Sequence, residues 1–421
     1  MYKKPPDFVG IAMNRNDQPP SPPRLFFLDN VRAFVIMFVI LQHVALIYGG
    51  YAGDSGFSRF LFSRIVNITD VFMIPLMFFI AGFFALPSIR KQGTARFLQG
   101  KVMRIWLPWL VGVTLIVPIA MYCMYYMRTV SGGAIPSGYW PYWSSFMRDA
   151  ARFHTGFVTS PDQFSHKHLW FLSVLFFFFV LFAALYTAAG LVPGLAPKKA
   201  PEKEPSAAGM TWALVVLGIL SAAGFFIVKL FFRWGYQATL ILGLIHFDPS
   251  RLAVFIVYFF FGVYASSRMW FSGGAVLRGL PVWIPVFLIS FFAFEYLSFS
   301  ESITLTLGMK FIITVLRSVL CLSMFVVILS VSQRVWNSSS PLNRLLASNS
   351  YTVYIIHYPI HAAAAVVLMT FGIHVLVKAA IVYLISFVAS YALGEYCVKP
   401  FPRLSIAGIA LINIILFALV K

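Results

Sequence analysis

The sequence predicts an all-α fold, a polytopic bundle of ten or eleven transmembrane helices, and three observations carry that prediction. The chain of 421 residues is 60% hydrophobic and only 11% charged, with a mean hydropathy of +0.85, a balance foreign to soluble domains. Its apolar residues gather into runs long enough to cross a hydrocarbon core of about 30 Å. Those runs lack the period-2 alternation of a membrane β-barrel.

Residues 1–25 are polar and rich in proline (Pro5-Pro6, Pro19-Pro20, Pro22-Pro23) and read as a disordered cytoplasmic N-terminus. The apolar runs follow at 31–48, 71–86, 105–127, 169–188, 210–228 and 252–266. Five more lie at 280–297, 311–331, 351–371, 375–393 and 405–420. The main transmembrane domain is expected over 26–400, with 401–421 as an additional C-terminal transmembrane helix. No small-residue cleavage pattern follows the first run, which therefore reads as a retained helix and not a removed signal. Between the runs, 194–209 carries Pro197-Lys198-Lys199-Ala200-Pro201-Glu202-Lys203-Glu204-Pro205 and reads as a solvated linker. The connection from Arg128 to Lys167 is long, aromatic and polar, and no inverted repeat of the transporter kind is visible.

Orientation follows from the loops. With the N-terminus inside, the inside segments hold 19 Lys and Arg against 11 outside, which favours a cytoplasmic N-terminus. The net charge of +19 then belongs to loops facing anionic lipid headgroups, and nucleic acid is not expected as a partner. Cys123, Cys321 and Cys397 sit in or beside apolar runs and offer neither a disulfide framework nor metal spacing. No P-loop, Rossmann or Gly-x-Ser-x-Gly signature is present.

Ionisable residues inside the runs are the candidates for chemistry, because they are costly at depth. Arg32 opens the first run and His43 lies eleven positions on. At about 100° per residue the two side chains leave one helix face, separated by a rise of roughly 16 Å. Near the start of the third run stand Arg96, Lys101 and Arg104. Lys101 and Arg104 are three apart, expected on one face near a helix N-terminus, and suit a phosphate-bearing ligand. The same residues also suit anchors on lipid headgroups.

Toward the other face lie Asp70, His166 and His168. Asp70 would either act in the chemistry or cap the second helix. His168 with Trp170 would bind substrate or belong to an interfacial aromatic belt. His357 and His361, at i and i+4, share a face of the ninth helix; no carboxylate or thiol matches them, so a metal is not expected. Glu295 and Arg317 would form a structural ion pair across the seventh and eighth helices. The layout suggests a phosphate-bearing donor at the Arg/Lys cluster whose reactive end reaches His43, a natural general base or acyl carrier.

Taken in order, one set of pieces is familiar: Arg32 with His43; Asp70-Val71-Phe72 running to Phe78-Phe79-Ile80-Ala81-Gly82-Phe83; and Lys101/Arg104 before Pro108. To it belong His168-Leu169-Trp170, Phe259-Phe260-Phe261-Gly262 and Ser350-Tyr351 through His357. From Phe26 to about Lys399 the chain resembles the prokaryotic membrane acyltransferase family 3, in particular its glucans biosynthesis protein C branch of periplasmic glucan succinyltransferases. The resemblance implies transfer of an acyl group, acetyl or succinyl, from cytoplasmic acyl-CoA to a hydroxyl of an extracytoplasmic saccharide. Acyl-CoA would be a co-substrate, with no permanently bound cofactor. It implies a bacterial inner-membrane setting, His43 as the essential histidine and Arg32 and Arg104 on the CoA side; beside these, Asp70 is expected as a second catalytic residue and Lys101 as a further contact to CoA. His168, Trp170 and His357 would lie at the substrate, and Tyr139, Trp140, Tyr142 and Trp143 could stack on sugar rings or form an interfacial belt. The chain departs from the pattern at Ala81, where the family usually carries serine. A transporter or flippase of a saccharide or acyl donor is the alternative; it would need the cavity but not the titratable nitrogen of His43.

Overall fold

A computed structural model describes residues 25–51, 56–191, 205–232, 236–271, 279–300 and 304–420. The expected N-terminal disorder and most of the charged linker lie outside these residues. Twelve helices make up the described chain: α1 (Phe26–Tyr51), α2 (Phe57–Gln92), α3 (Thr94–Ser131), α4 (Tyr139–Ala150), α5 (Trp170–Leu191) and α6 (Ala207–Phe231). They continue with α7 (Pro249–Ser267), α8 (Leu280–Phe299), α9 (Leu307–Val335), α10 (Pro341–Met369), α11 (Val375–Val398) and α12 (Pro402–Leu419). All but α4 are long and apolar enough to cross a membrane, which makes eleven such helices among the described residues. The all-α polytopic bundle is therefore the fold.

Several helices begin at a side-chain cap. Ser206, Thr306 and Ser340 each accept a backbone N–H from three residues on, and Asp248 caps α7 by accepting from Ser250 and Arg251. Asp70 does not play that part. α2 starts at Phe57, so Asp70 lies well inside the helix. The polar stretch before Val71 folds as helix because its charged groups find partners on other helices.

α2 packs along α7 so closely that two glycines are required. A Cβ on Gly82 would lie 2.0 Å from the Phe259 carbonyl oxygen, and one on Gly262 would lie 2.1 Å from that of Phe79. Small residues at such crossings let helix backbones approach in lipid, where packing drives association. Phenylalanines fill the space beside them: Phe78 meets Phe171, Phe178 and Phe255 at ring separations of 4.9, 4.9 and 5.1 Å.

Prolines in the helices release carbonyls. A proline has no N–H for the carbonyl four residues back and crowds it. α3 widens into π turns at Val102–Trp106 and Gly112–Ile116, ahead of Pro108 and Pro118. The carbonyl of Arg104, four before Pro108, instead accepts the Tyr351 hydroxyl of α10 at 2.6 Å.

The long connection after α3 is ordered. It contains α4 and the strand β1 (Gly156–Phe157), which joins β2 (Thr239–Ile241) and β3 (Ile245–Phe247) in a small antiparallel sheet. This cap sits over the end of the bundle where α1 finishes and α2, α5 and α7 begin; we call it the capped face. α4 also holds α12: the Tyr139 N–H donates to the Val420 carbonyl at 3.0 Å, and its hydroxyl to Asn413 at 2.6 Å. Tyr139, Trp140 and Trp143 pack on Phe417. None of these aromatics, nor Tyr142, lines the central cavity; Tyr139, Trp140 and Trp143 hold α12 in place.

Candidate active site

A cavity of about 740 Å³ opens beneath the cap, walled by α1, α2, the start of α5, α10 and the connection between α6 and α7. His43 and His168 lie on its wall, with Asp70, Trp170, Tyr354 and Tyr358. His43 heads a cluster of imidazoles. Its ring lies 5.4 Å from that of His357, 5.9 Å from His361, 6.5 Å from His168 and 5.0 Å from Tyr358, which it meets edge to face. Three sequence-predicted residues, His43, His168 and His357, thus converge.

α10 builds most of this cluster. His357 and His361 are one turn apart and fully buried. His357 Nδ1–H donates to the Val353 carbonyl at 3.0 Å, so its Nε2 carries the lone pair. Pro359, between the two histidines, leaves the Ile355 carbonyl without a helical partner. His168 takes that place, its Nε2–H donating at 2.9 Å. This bond fixes the His168 tautomer, with the Nδ1 lone pair as acceptor. The Tyr354 hydroxyl donates to the His168 carbonyl, and the Tyr358 ring stacks on the His168 ring at 4.6 Å and 4°. His168 is thereby held on three sides.

The atoms left over are the chemically informative ones. His168 Nδ1, His357 Nε2 and both ring nitrogens of His361 are buried without a hydrogen-bond partner among the described residues. His43 makes no hydrogen bond there either, while its ring is only partly buried and faces the cavity. Buried polar atoms are rarely left unpaired; of these residues His168 lies on the cavity wall with His43, whereas His357 and His361 lie behind the His43 ring and outside the lining. Among the described residues no three His, Cys, Asp or Glu side chains converge in a metal-binding arrangement.

Asp70 also lies on the cavity wall, but its partners are arginines. Arg251 of α7 donates to one carboxylate oxygen at 2.5 Å and Arg317 of α9 to the other at 2.9 Å. It makes no hydrogen bond to His43. The expected Glu295–Arg317 pair does not form. Glu295 instead accepts from Arg64 at 2.6 Å and Asn67 at 2.7 Å, both on the part of α2 that the sequence left as a loop. Trp170 stacks on Phe255 at 5.6 Å beside the cavity.

The cationic candidates lie toward the opposite face and do not line the cavity. Arg32 pairs with Asp29 one turn earlier at 3.3 Å and stays about a third exposed, 36%. α3 begins at Thr94, so Lys101 and Arg104 sit inside the helix and not at its N-terminus. The π turn between them covers more residues per turn, which increases the angle that separates them. Lys101 places its ammonium 3.9 Å from the Phe179 ring and 4.9 Å from that of Phe97, while Arg104 is exposed. One path links this end to the histidines. Tyr351, which holds Arg104, shares a face of α10 with Tyr354 and Tyr358, and the first and last are separated by a rise of about 10 Å.

Sequence reasoning passed over Tyr358, Arg251 and the full role of His361. Pro359 inside the paired-histidine motif was the available signal, since a proline there frees a carbonyl for an outside donor. Nothing in the sequence indicated that Arg251 would reach Asp70.

At the cap, His166 is fully buried, with Nε2–H donating to the Gly243 carbonyl at 2.8 Å. Burial lowers its pKa to about 4, although that hydrogen bond acts in the opposite sense. His246, on β3, is pushed well below the ordinary imidazole range by burial, then by His166 and Lys167.

Fold and site together define a polytopic membrane protein with a histidine-lined cavity open toward one face. The sequence model of an acyltransferase domain matches residues 25–395. The chain belongs to this family, acyltransferase family 3, and is a membrane acyltransferase. Neither a curated protein nor a solved structure matches the chain. Of the elements described, α12 lies beyond the matched residues.

Proposed function

We propose that the protein moves an acyl group from cytoplasmic acyl-CoA to a hydroxyl of an extracytoplasmic saccharide. The observation that carries this reading is His43, a ring with no hydrogen bond among the described residues, on the wall of a cavity that it shares with His168 and Tyr358. The donor's phosphates dock at Arg104 and Arg32, with Lys101 beside them, and its thioester reaches inward along the Tyr351–Tyr358 face of α10. The acceptor enters beneath the cap. His43 takes the hydroxyl proton as the oxygen attacks the thioester carbonyl; the C–S bond breaks and CoA leaves as thiolate, which recovers the proton. Buried His168 and His357 supply fixed acceptor nitrogens, Nδ1 and Nε2, that orient the acceptor's hydroxyls. Asp70 acts by holding Arg251 and Arg317. No bound cofactor is needed, since acyl-CoA enters and leaves as a co-substrate.

In this reading the membrane is the bacterial inner membrane, the N-terminus is cytoplasmic and the capped face is periplasmic. The excess of Lys and Arg in the loops on the N-terminal side supports that orientation. The sequence resemblance supports a periplasmic glucan as acceptor and an acetyl or succinyl group as cargo. Mass spectrometry of periplasmic and surface saccharides tests the proposal, comparing cells that lack the protein with cells carrying it or its His43→Ala variant. A mass increment of one acyl group is expected only with the wild-type protein. Identical saccharides in all three would refute it.

A further inference from the structure

His43 does not stand alone in its helix. Between Ala33 and Ile47 the polar side chains of α1 are His43 and the residue before it, Gln42. An amide inside an apolar membrane run costs free energy unless it is hydrogen-bonded. The side chains one turn away on the helix, Phe38, Val39, Ala45 and Leu46, are all apolar and offer Gln42 nothing to bond with. Its side chain makes no hydrogen bond to any other described residue. It is half-buried and lines the main cavity, on the face of α1 that also presents Val39, Leu46 and Gly49.

Gln42 and His43 leave the helix about 100° apart and differ in height by about 1.5 Å. Both line the cavity, so they flank one stretch of it at one depth in the membrane. Acyl transfer places negative charge on the thioester oxygen, and neutral N–H groups aimed at that oxygen hold the charge in a water-poor site. Nearby donors are committed elsewhere. His168 Nε2–H donates to the Ile355 carbonyl at 2.9 Å, and the Tyr354 hydroxyl donates to the His168 carbonyl. On α2, the Asn67 amide donates to Glu295 at 2.7 Å. The amide of Gln42 keeps two N–H groups for a ligand.

We propose that Gln42 donates an N–H to the thioester carbonyl oxygen and stabilises the oxyanion that forms there. This rests on the acyltransferase reading above and adds a second catalytic residue to it. As the acceptor oxygen bonds to the carbonyl carbon, an electron pair of the C=O bond moves onto its oxygen and the hydroxyl proton moves to His43. When the C–S bond breaks, that pair re-forms the carbonyl, CoA leaves as thiolate and the proton passes to it. Gln42 keeps its own protons throughout. An amide is neutral and does not titrate near pH 7, so it holds the oxyanion without competing for the proton on His43.

The test uses the full-length protein in nanodiscs of phosphatidylcholine, with acetyl-CoA carrying ¹³C at the thioester carbonyl. Infrared difference spectra of the bound donor read the hydrogen bond directly and need neither turnover nor an identified saccharide. The carbonyl stretch is expected at lower frequency in the wild type than in Gln42→Met, which keeps the length of the side chain and removes its N–H groups. Hydrolysis of bound acetyl-CoA, with water as acceptor, is expected to fall roughly 10²–10³-fold in that variant. Acetyl-CoA affinity and melting temperature should stay near the wild-type values. Gln42→Asn, with its N–H groups on a shorter stem, should recover part of the rate and part of the frequency shift. A structural Gln42 predicts a lower melting temperature in Gln42→Met with the carbonyl stretch unmoved. A Gln42 that only binds the saccharide predicts unchanged hydrolysis. Either result would overturn the proposal. A donor that binds with one carbonyl frequency in all three proteins would strike the role of Gln42 alone, whereas failure of the wild type to bind acetyl-CoA would strike the acyl-CoA reading and this proposal with it.

Discussion

Replacing His43 with alanine separates chemistry from stability in this protein. A positioned general base is worth roughly 10²–10⁴ in rate. At about 1.4 kcal/mol per factor of ten, that is about 3–5 kcal/mol of barrier. The stability cost is expected to be much smaller, for reasons visible in the structure. His43 makes no hydrogen bond among the described residues, so its removal orphans none of their polar groups. Its ring faces a cavity of about 740 Å³ that is already open, so truncation enlarges that space without sealing a new void. What is lost is ring contact with Tyr358, His357 and His361 at 5.0, 5.4 and 5.9 Å, about 1 kcal/mol. The assay is transfer of labelled acyl group from acyl-CoA by purified wild-type and variant protein, paired with thermal unfolding in the same detergent. A fall in turnover of at least roughly 10² with a melting temperature within a few degrees of wild type is expected. Transfer at the wild-type rate would refute the role of His43. A melting temperature collapse would show that the ring is structural.

Four further outcomes are expected. Arg104→Ala and Arg32→Ala should each weaken acyl-CoA binding, and lysine at either position should restore it only in part, because a point charge does not replace a planar fork on phosphate; equilibrium binding of labelled acyl-CoA checks this. Pro359→Ala returns an N–H to the Ile355 carbonyl, which then competes with His168 Nε2. Turnover should fall while acyl-CoA affinity stays at the wild-type value, as steady-state kinetics would show. Buried His166 has a pKa of about 4 against an ordinary 6.5. Because the folded value is depressed, its contribution is full above pH 6.5 and lost as pH falls through about 4, a change of about 3 kcal/mol. Melting temperatures between pH 7 and 4 should drop less steeply for His166→Gln. Finally, in a variant without native cysteines, single cysteines at Ser131, Ser206 and Ser338 should be labelled by an impermeant maleimide on intact cells only at Ser131; the opposite pattern would invert the proposed sidedness.

The amino-acid sequence by itself determined the class and number of the helices. Lipid solvates apolar surface and leaves backbone groups nothing to bond with, so long apolar runs must become helices wherever they insert. This local rule located eleven runs, and eleven helices long and apolar enough to span form among the described residues. The same rule underestimated α2. Its first turns are polar and read as loop, yet they are helical because Arg64 and Asn67 reach Glu295 and Asp70 reaches Arg251 and Arg317. His43 was legible as a functional residue, since an ionisable group in an apolar run has few bland explanations. Its neighbours were legible only as isolated histidines. Which helix faces which is decided by packing between segments hundreds of residues apart, and no periodicity within one segment encodes it. The meeting of His43, His168 and His357, the hold of Pro359's released carbonyl on His168, and the choice of arginines over histidine as partners of Asp70 therefore belong to the tertiary structure alone.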